Sequence, residues 1–261
     1  MTPEPELSSL DSIATTFSVD DYMYFYGDFL NTARSDAETA AVVDLLKMDT
    51  PMRVLDLACG FGRIANRLAV LGHRVTGIEF QAGFLEIAHR EAARFNVARP
   101  RSSGWVDYRQ GDMRAIDLPP EYDRALMIFN SFGYFTDEEN LRVLQKISAA
   151  LKPGGLLGFD IANRDGVLND FHADYVTEKG RDLLINRFSF DILTGRLRNN
   201  RIVIRNGVRI DKPFTIRLYS VTELRDLLRA AGLELENLYG EWDGRPLQLD
   251  SPAMVVTARK N

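Results

Sequence analysis

Apolar and polar positions along this chain change period several times, and the changes mark out its elements. From Asp21 to Met48 the residues are rich in Ala, Leu and acids and end at Asp49-Thr50-Pro51, which predicts a single helix followed by a break. The aromatic run Tyr22, Tyr24, Phe25, Tyr26 sits near its start. Arg53-Val54-Leu55-Asp56-Leu57 is a short apolar run bounded by a glycine-rich turn, and Ile64, Leu68 and Leu71 then recur at helical spacing. Arg74 to Glu79 is β-branched and ends on an acid, and Phe84 to Asn96 is helical again. The alternation continues with strands at Trp105 to Tyr108 and Arg124 to Phe129 and a helix at Glu138 to Leu151. A turn at Lys152-Pro153-Gly154-Gly155, where Pro stops the helix and the glycines permit positive φ, leads to a buried strand at Leu156 to Ile161. Strands alternating with helices imply a parallel sheet covered on both faces.

After Asn163 the texture becomes β-rich. Leu183 to Ile192 and Leu197 to Ile204 flank a turn at Thr194-Gly195, with a second turn at Asn206-Gly207 and a third run at Phe214 to Tyr219, which predicts an antiparallel insertion. Val221 to Ala231 returns to helix, opened by the capping-box pair Ser220 and Glu223 and closed by Gly232. Strands at Leu233 to Tyr239 and Met254 to Ala258 complete the chain, and no internal repeat interrupts it.

Composition narrows the function classes. With 32 Lys plus Arg against 37 Asp plus Glu, the net charge of −5 is opposite in sign to a nucleic-acid footprint. The longest apolar runs, such as Leu156-Leu157-Gly158-Phe159, fall far short of the roughly 20 residues of a membrane span. The opening Met1-Thr2-Pro3-Glu4-Pro5-Glu6 is acidic where a secretory signal would be basic and then apolar, so a cytoplasmic protein is expected. Cys59 is the only cysteine, which leaves no intrachain disulfide or cysteine-based metal cluster. The expected partner is a small molecule, with neither nucleic acid nor membrane, for a monomer or a homodimer.

Four features fall on loops after successive strands, where ligands bind in open α/β sheets. Gly60 and Gly62 let backbone approach a ligand closely, although the Gly60-x-Gly62-x-x-Ala65 spacing fits a dinucleotide fingerprint equally well. Asp56 at the strand end would repel a pyrophosphate and attract the ammonium and sulfonium of S-adenosylmethionine; its alternative role is to brace the loop, and Arg63 is a counterweight that suits a phosphate. Glu79 ends the next strand in position to accept from a ribose diol, whichever nucleotide carries it. Asp112 in Gly111-Asp112-Met113 suits an adenine amine, with Met113 packing on the ring, or else is a turn residue. Phe129-Asn130-Ser131-Phe132-Gly133-Tyr134-Phe135 sets polar and aromatic groups after a buried strand, and some of these aromatics belong to core packing.

Together these residues resemble the class I S-adenosylmethionine-dependent methyltransferases over roughly residues 20 to 161. Asp56 to Gly62 is similar to the family's first motif, Glu79 to its ribose acid, Gly111-Asp112-Met113 to its adenine motif, and Leu151 to Gly155 to the turn before its fifth strand. Ser131 to Phe135 and Arg217-Leu218-Tyr219-Ser220 resemble a bacterial subgroup acting on small molecules, including amino-sugar and other natural-product N-methyltransferases. Asn130-Ser131-Phe132-Gly133 departs from the Asn/Asp-Pro-Pro-Tyr motif of amino-directed DNA methyltransferases.

The resemblance implies an α/β fold: a Rossmann-like, doubly wound, seven-stranded and mostly parallel sheet with an antiparallel insertion after its fifth strand. Residues 1–50 would form a helical cap, 51–162 the cofactor-binding core, 163–219 the insertion or lid, and 220–261 the helix and strands that complete the core. It further implies a cofactor site built from Tyr26, Arg34, Asp56, Ala58, Gly60, Gly62, Glu79, Phe80, Gly111, Asp112, Met113 and Phe129. Tyr26 or Arg34 would meet the cofactor's carboxylate, unless Arg34 merely pairs with Asp36 or Glu38 on a solvated helix. Tyr22, Asn130, Ser131, Phe132, Tyr134, Arg217 and Tyr219 are the expected acceptor residues, and no metal is implied. Methyl transfer from a sulfonium needs alignment and exclusion of water more than a protein nucleophile. Tyr134 and His172 are the candidate catalytic groups, with Asp170 as a further base, although His172 also reads as a lid residue. The acceptor is expected to be a nitrogen. Oxygen or carbon acceptors, a methyltransferase-like protein that binds the cofactor without transfer, and a nicotinamide-dependent oxidoreductase are the rivals.

Overall fold

The structure is a computed structural model that describes residues 10–98 and 104–261, so the acidic opening stretch at 1–6 lies outside it. Three helices come first: α1 (Leu10–Thr16), α2 (Val19–Tyr26) and α3 (Thr32–Leu45). The last two replace the single helix expected from Asp21 to Met48. Gly27 caps the end of α2, and the Asn31 side chain accepts the Arg34 N–H at 3.0 Å, satisfying a first-turn donor and starting a new helix.

The alternating core follows as β1 (Arg53–Leu57), α4 (Ala65–Val70), β2 (Arg74–Glu79), α5 (Ala82–Arg94), β3 (Trp105–Gln110), β4 (Tyr122–Met127), α6 (Asp137–Ala150) and β5 (Leu151–Ala162). The turn expected at 152–155 is an excursion inside β5. Pairing with β4 steps from Tyr122↔Leu151 to Arg124↔Leu156, and Gly154 takes φ 78°. Next come α7 (Arg164–Asn169) and the strands β6 (Asp174–Lys179), β7 (Asp182–Asp191), β8 (Arg196–Asn199), β9 (Ile202–Arg205), β10 (Val208–Asp211) and β11 (Phe214–Arg217). The chain closes with α8 (Val221–Ala230), β12 (Leu233–Tyr239) and β13 (Ala253–Lys260). The expected Ser220–Glu223 capping box starts α8, and Thr136 with Glu139 forms another on α6.

The main sheet has the order β12-β13-β5-β4-β1-β2-β3, with β1 to β5 parallel and β13 antiparallel between β5 and β12. Strand order reverses between β1 and β4, so the loops leaving their carboxyl ends diverge and open a crevice. Period-two alternation divides the central strands between two cores. Leu55, Leu57, Ala125, Met127, Leu157 and Phe159 pack with Val143, Leu144 and Ile147 of α6 and Leu224 and Leu228 of α8. Val54, Leu126 and Leu156 face the other way, onto Val42 of α3, Leu68 of α4 and Ala88 of α5. Each fully buried Leu contributes about 1.5–3 kcal/mol, which fixes the strand register and with it the loop positions.

The insertion is a six-stranded antiparallel sheet in the order β10-β9-β7-β8-β11, with β6 also paired to β7. The run expected from Leu197 to Ile204 is split into β8 and β9, both of which pair with β7. β6 and β10 have no counterpart among the expected strands. Their residues are almost all exposed and carry charges, so they lack an apolar face to signal a strand.

Candidate active site

A cavity of about 620 Å³ opens at the crevice between β1 and β4 and continues under the insertion sheet. Its floor is the loop after β1, where Ala58, Gly60 and Gly62 take φ values of 53°, 54° and 76°. A left-handed Ala costs about 1–2 kcal/mol, a strain held by neighbouring bonds: the Cys59 N–H to the Ile78 carbonyl at 3.1 Å and the Gly60 N–H to Glu79 Oε2 at 3.1 Å. The two glycines do different work. A Cβ on Gly60 would meet nothing within 4 Å, which leaves the backbone open to the cavity. A Cβ on Gly62 would overlap the Tyr108 phenol, whose hydroxyl donates to Asn66 Oδ1 at 2.9 Å. Gly62 therefore permits helix–strand packing and does not line the cavity, contrary to its expected cofactor role.

Asp56 is 3% exposed, faces this cavity and has no hydrogen-bond partner among the described residues. Burial pushes its carboxyl up from 3.8 to about 7, against the pull of Arg63 and with a further push from Glu79. A buried carboxyl with free lone pairs fits a cationic ligand. Arg63 is not free to make the loop a phosphate site, because Glu38 pairs with it; its Nη2, buried and unpartnered, still offers donors. Glu79 accepts from Gly60 N–H through Oε2 and from Gln81 N–H through Oε1 at 3.0 Å, which leaves capacity on each oxygen for a ribose diol. Burial raises its carboxyl and those N–H donors oppose the rise. Gly111, Met113 and Phe80 continue this wall. Asp112 lines it too, but its oxygens accept from the Arg114 N–H at 2.9 Å and from the Arg114 guanidinium at 2.8–3.1 Å. The turn role is therefore formed in the ligand-free chain, and an adenine amine would have to share those oxygens.

Beyond β4, Phe129 and Asn130 take consecutive left-handed conformations at φ 71° and 57°. Half-buried Asp160 on β5 holds them: its Oδ1 accepts the Phe129 N–H at 2.7 Å and its Oδ2 the Asn130 N–H at 2.8 Å. The Trp242 indole N–H adds a third donor at 3.1 Å. Charge-assisted bonds of about 1.5–3 kcal/mol each offset the strain at two residues. Burial raises the Asp160 carboxyl and these donors oppose it. The clamp points Phe129, Asn130 and Ser131 at the cavity, and Tyr134 follows them.

The far wall is the insertion sheet, read by parity. Phe214, Ile216 and Leu218 line the cavity, and so do Leu197, Asn199 and Arg201 on and just after β8, with Asn186 and Phe188 on β7. Arg217 and Tyr219 consequently point away. The Arg217 guanidinium binds Glu223 Oε1 at 2.6 Å, and the Tyr219 hydroxyl accepts from Asn140 at 3.0 Å while its ring stacks on Phe132. Neither lines the cavity, nor does fully buried Phe132; these three expected acceptor residues are braces of the wall. The Arg217 N–H donates to the Gly133 carbonyl at 2.8 Å and joins the insertion to the β4 loop.

Tyr22 and Tyr26 of α2 reach the cavity with their rings 5.1 Å apart, and burial pushes the Tyr22 and Tyr134 phenols above their ordinary 10. Arg34 does not reach it: its Nε lies 2.7 Å from Glu38 Oε1 and its guanidinium sits over the Phe29 ring. The ion-pair alternative is the one formed. His172 lies at the rim, strongly exposed and 3.1 Å from Asp170. Asp160, Tyr108, Asn186 and Arg201 had no place among the expected residues. Asp160 sits inside a buried apolar run, and only the shape of the insertion gives Arg201 its direction. Among the described residues no group of three or more His, Cys, Asp or Glu could hold a metal, and no helix is long and apolar enough to cross a membrane.

Comparison with known proteins agrees with this geometry. Residues 54–155 match the methyltransferase domain family. The chain is 28% identical over 253 residues to the dTDP-4-amino-2,3,4,6-tetradeoxy-D-glucose N,N-dimethyltransferase of Saccharopolyspora spinosa, covering 91% of this chain and 96% of the relative. Among solved structures, the CcbJ methyltransferase from Streptomyces caelestis is 25% identical with a TM-score of 0.73, over 86% of this chain and 89% of that one. The S-adenosylmethionine-bound CalS10, an amino pentose methyltransferase from Micromonospora echinaspora, superposes over 99% of both chains with a TM-score of 0.59 at 18% identity. The matched domain supplies β1 to α6 and the start of β5, the elements whose loops carry Asp56, Glu79 and Asp112. Residues 54–155 form a methyltransferase domain, the chain is a methyltransferase, and its site fits S-adenosylmethionine as the methyl donor.

Proposed function

We propose that the protein methylates an amine nitrogen of a small molecule held between the β4 loop and the insertion sheet. The observation that carries this reading is the lining of the acceptor half of the cavity, where Tyr22, Tyr134, Asn130 and Ser131 offer no strong base and His172 with Asp170 stays at the exposed rim. A neutral amine brings its own lone pair and needs no strong base; an alcohol does. The bound cofactor supplies an electrophilic methyl on a sulfonium, a good leaving group. Asp56 and Glu79 would hold the donor's charged and ribose ends, Gly60 would let backbone approach it, and the Asp160 clamp would set Asn130 and Ser131 beside the acceptor. Tyr134 makes no hydrogen bond among the described residues, so its hydroxyl is free to orient the acceptor. An amine that took up this methyl would become an ammonium and give its proton to water, with no base required from the chain. The aromatic faces and phenol oxygens around it suit that transient positive charge.

The similarity to amino-sugar N,N-dimethyltransferases of Saccharopolyspora spinosa and Streptomyces venezuelae supports nitrogen and a small acceptor. The test is incubation with isotope-labelled S-adenosylmethionine and matched panels of small amines, alcohols and phenols, with products identified by mass spectrometry. Labelled N-methyl products are expected. Label confined to oxygen or carbon would overturn the reading.

A further inference from the structure

Four Arg and Lys residues are buried among the described residues: Arg63, Arg196, Arg201 and Lys212. Three have a carboxylate within ion-pair reach, namely Glu38 for Arg63, Asp137 for Arg196 and Asp21 for Lys212. Arg201, 7% exposed, has none. Its Nε donates to Asn186 Oδ1 at 2.9 Å and its Nη2 to the Tyr26 hydroxyl at 3.3 Å. Phe17 and Phe214 flank it, with the guanidinium carbon 5.1 and 4.9 Å from their ring centres. The neutral partners orient the group without balancing its charge, and Nη1 makes no hydrogen bond among the described residues. A buried charge without a counter-ion is costly, and this one lines the acceptor half of the cavity.

We infer that Arg201 is the specificity residue that receives an oxyanion of the acceptor, so that the preferred substrate carries a carboxylate or phosphate as well as the amine to be methylated. The inference rests on the amine reading above. Nη1 and the second hydrogen of Nη2 form the open end of the guanidinium fork, which matches two oxygens of one carboxylate or phosphate side by side. Asn186 fixes the plane of the fork and is itself held by Asn199, whose Nδ2 donates to Asn186 Oδ1 at 2.7 Å. The acceptor would be oriented at two points, by Arg201 at its anionic end and by Tyr134 near the nitrogen.

Two measurements test this. In the first, calorimetry on the protein saturated with S-adenosylhomocysteine compares acetate and glycine with inorganic phosphate and glucosamine 6-phosphate, and each with an uncharged counterpart (acetamide, glycinamide, glucosamine). Wild type should bind at least one anionic series about 10- to 100-fold more tightly than its counterparts, and Arg201→Gln should lose that preference. The carboxylate and phosphate arms tell the two sources apart. Arg201→Lys keeps a cation between the rings as a folding control and should recover only part of the preference, because the fork is gone. S-adenosylhomocysteine affinity is measured on every variant to show that its cofactor half is intact. Equal binding of charged and uncharged probes by wild type overturns the inference with no variant needed, and so does an anion preference that survives in Arg201→Gln. In the second, methylation of amines paired with and without an anionic group should show Arg201→Gln raising KM for the anionic member alone. Methylated amines with no such pairing effect would overturn Arg201 while sparing nitrogen methylation; anion binding without any N-methylated product would do the reverse.

Discussion

The two halves of the cavity are built on opposite plans. The cofactor half comes from the ends of β1, β2 and β3 and carries three acids beside the paired Arg63, with Glu79 and Asp112 tied to backbone N–H groups. The other half is lined by one face of the antiparallel insertion sheet, by α2 and by the β4 loop; its buried polar groups are phenols, amides and one arginine, held mainly by other side chains. A backbone-tied acid depends on the local turn, whereas a side-chain network depends on which residues happen to face it. The first arrangement therefore suits a ligand shared by many enzymes and the second a ligand that differs among them.

The widest test of this contrast is Asp160, which ties the halves together. Asp160→Asn presents an NH2 where an N–H needs an acceptor, and should cost about 3 kcal/mol in urea unfolding along with nearly all methyl transfer. A variant of wild-type stability would show that the left-handed pair at 129–130 needs no clamp. Next in size, Gly62→Ala should cost about 2–3 kcal/mol through its positive φ and its overlap with Tyr108, and Tyr108→Phe in the same chain should recover part of that. If cofactor affinity falls while stability holds, Gly62 belongs to the ligand after all.

Asp56 gives a prediction in pH. Ligand-free, its carboxyl ionises near pH 7 in place of 3.8, so the folded chain holds this proton more tightly than the unfolded one. The stability from this group is complete below about 4 and declines as pH rises towards 7. A cationic ligand needs the ionised form, so S-adenosylmethionine affinity should climb through the same region, by up to about tenfold per pH unit below 7. Asp56→Asn should flatten that slope and weaken binding at pH 8 by about 10- to 100-fold. A slope that persists in the variant assigns the titration elsewhere.

Smaller effects separate wall from lining. Tyr219→Phe should cost about 1 kcal/mol of stability, by loss of the Asn140 bond, and leave the acceptor's KM where it was. Arg34→Ala should change stability by no more than about 0.5 kcal/mol and S-adenosylmethionine affinity not measurably, because Glu38 keeps Arg63 as its partner.

The same contrast explains what could be read from the sequence. Asp56 and Glu79 stand out because each ends an apolar run before a turn, and a strand end in a parallel sheet is already a location. The Ser220–Glu223 capping box was equally plain, since its pattern is local. Arg217 and Tyr219 were misplaced by parity: they lie one residue away from Ile216 and Leu218, and a strand does not declare which of its faces lines a cavity until its sheet is assembled. Arg201 was missed for the same reason. Asp160 stayed hidden because an acid within Leu-Gly-Phe-Asp-Ile resembles an ordinary strand residue, and the two N–H groups that require it lie 30 and 31 positions upstream.

The bond from the Arg217 N–H to the Gly133 carbonyl makes inheritance of acceptor choice conditional. A Cβ at Gly133 would press on the Arg217 carbonyl, so the β4 loop and the last insertion strand meet at a fit that tolerates no side chain. Exchanging the 163–219 segment between relatives would transplant a new acceptor wall only where both parents share that joint; elsewhere a chimera would inherit the wall without its alignment to the methyl donor.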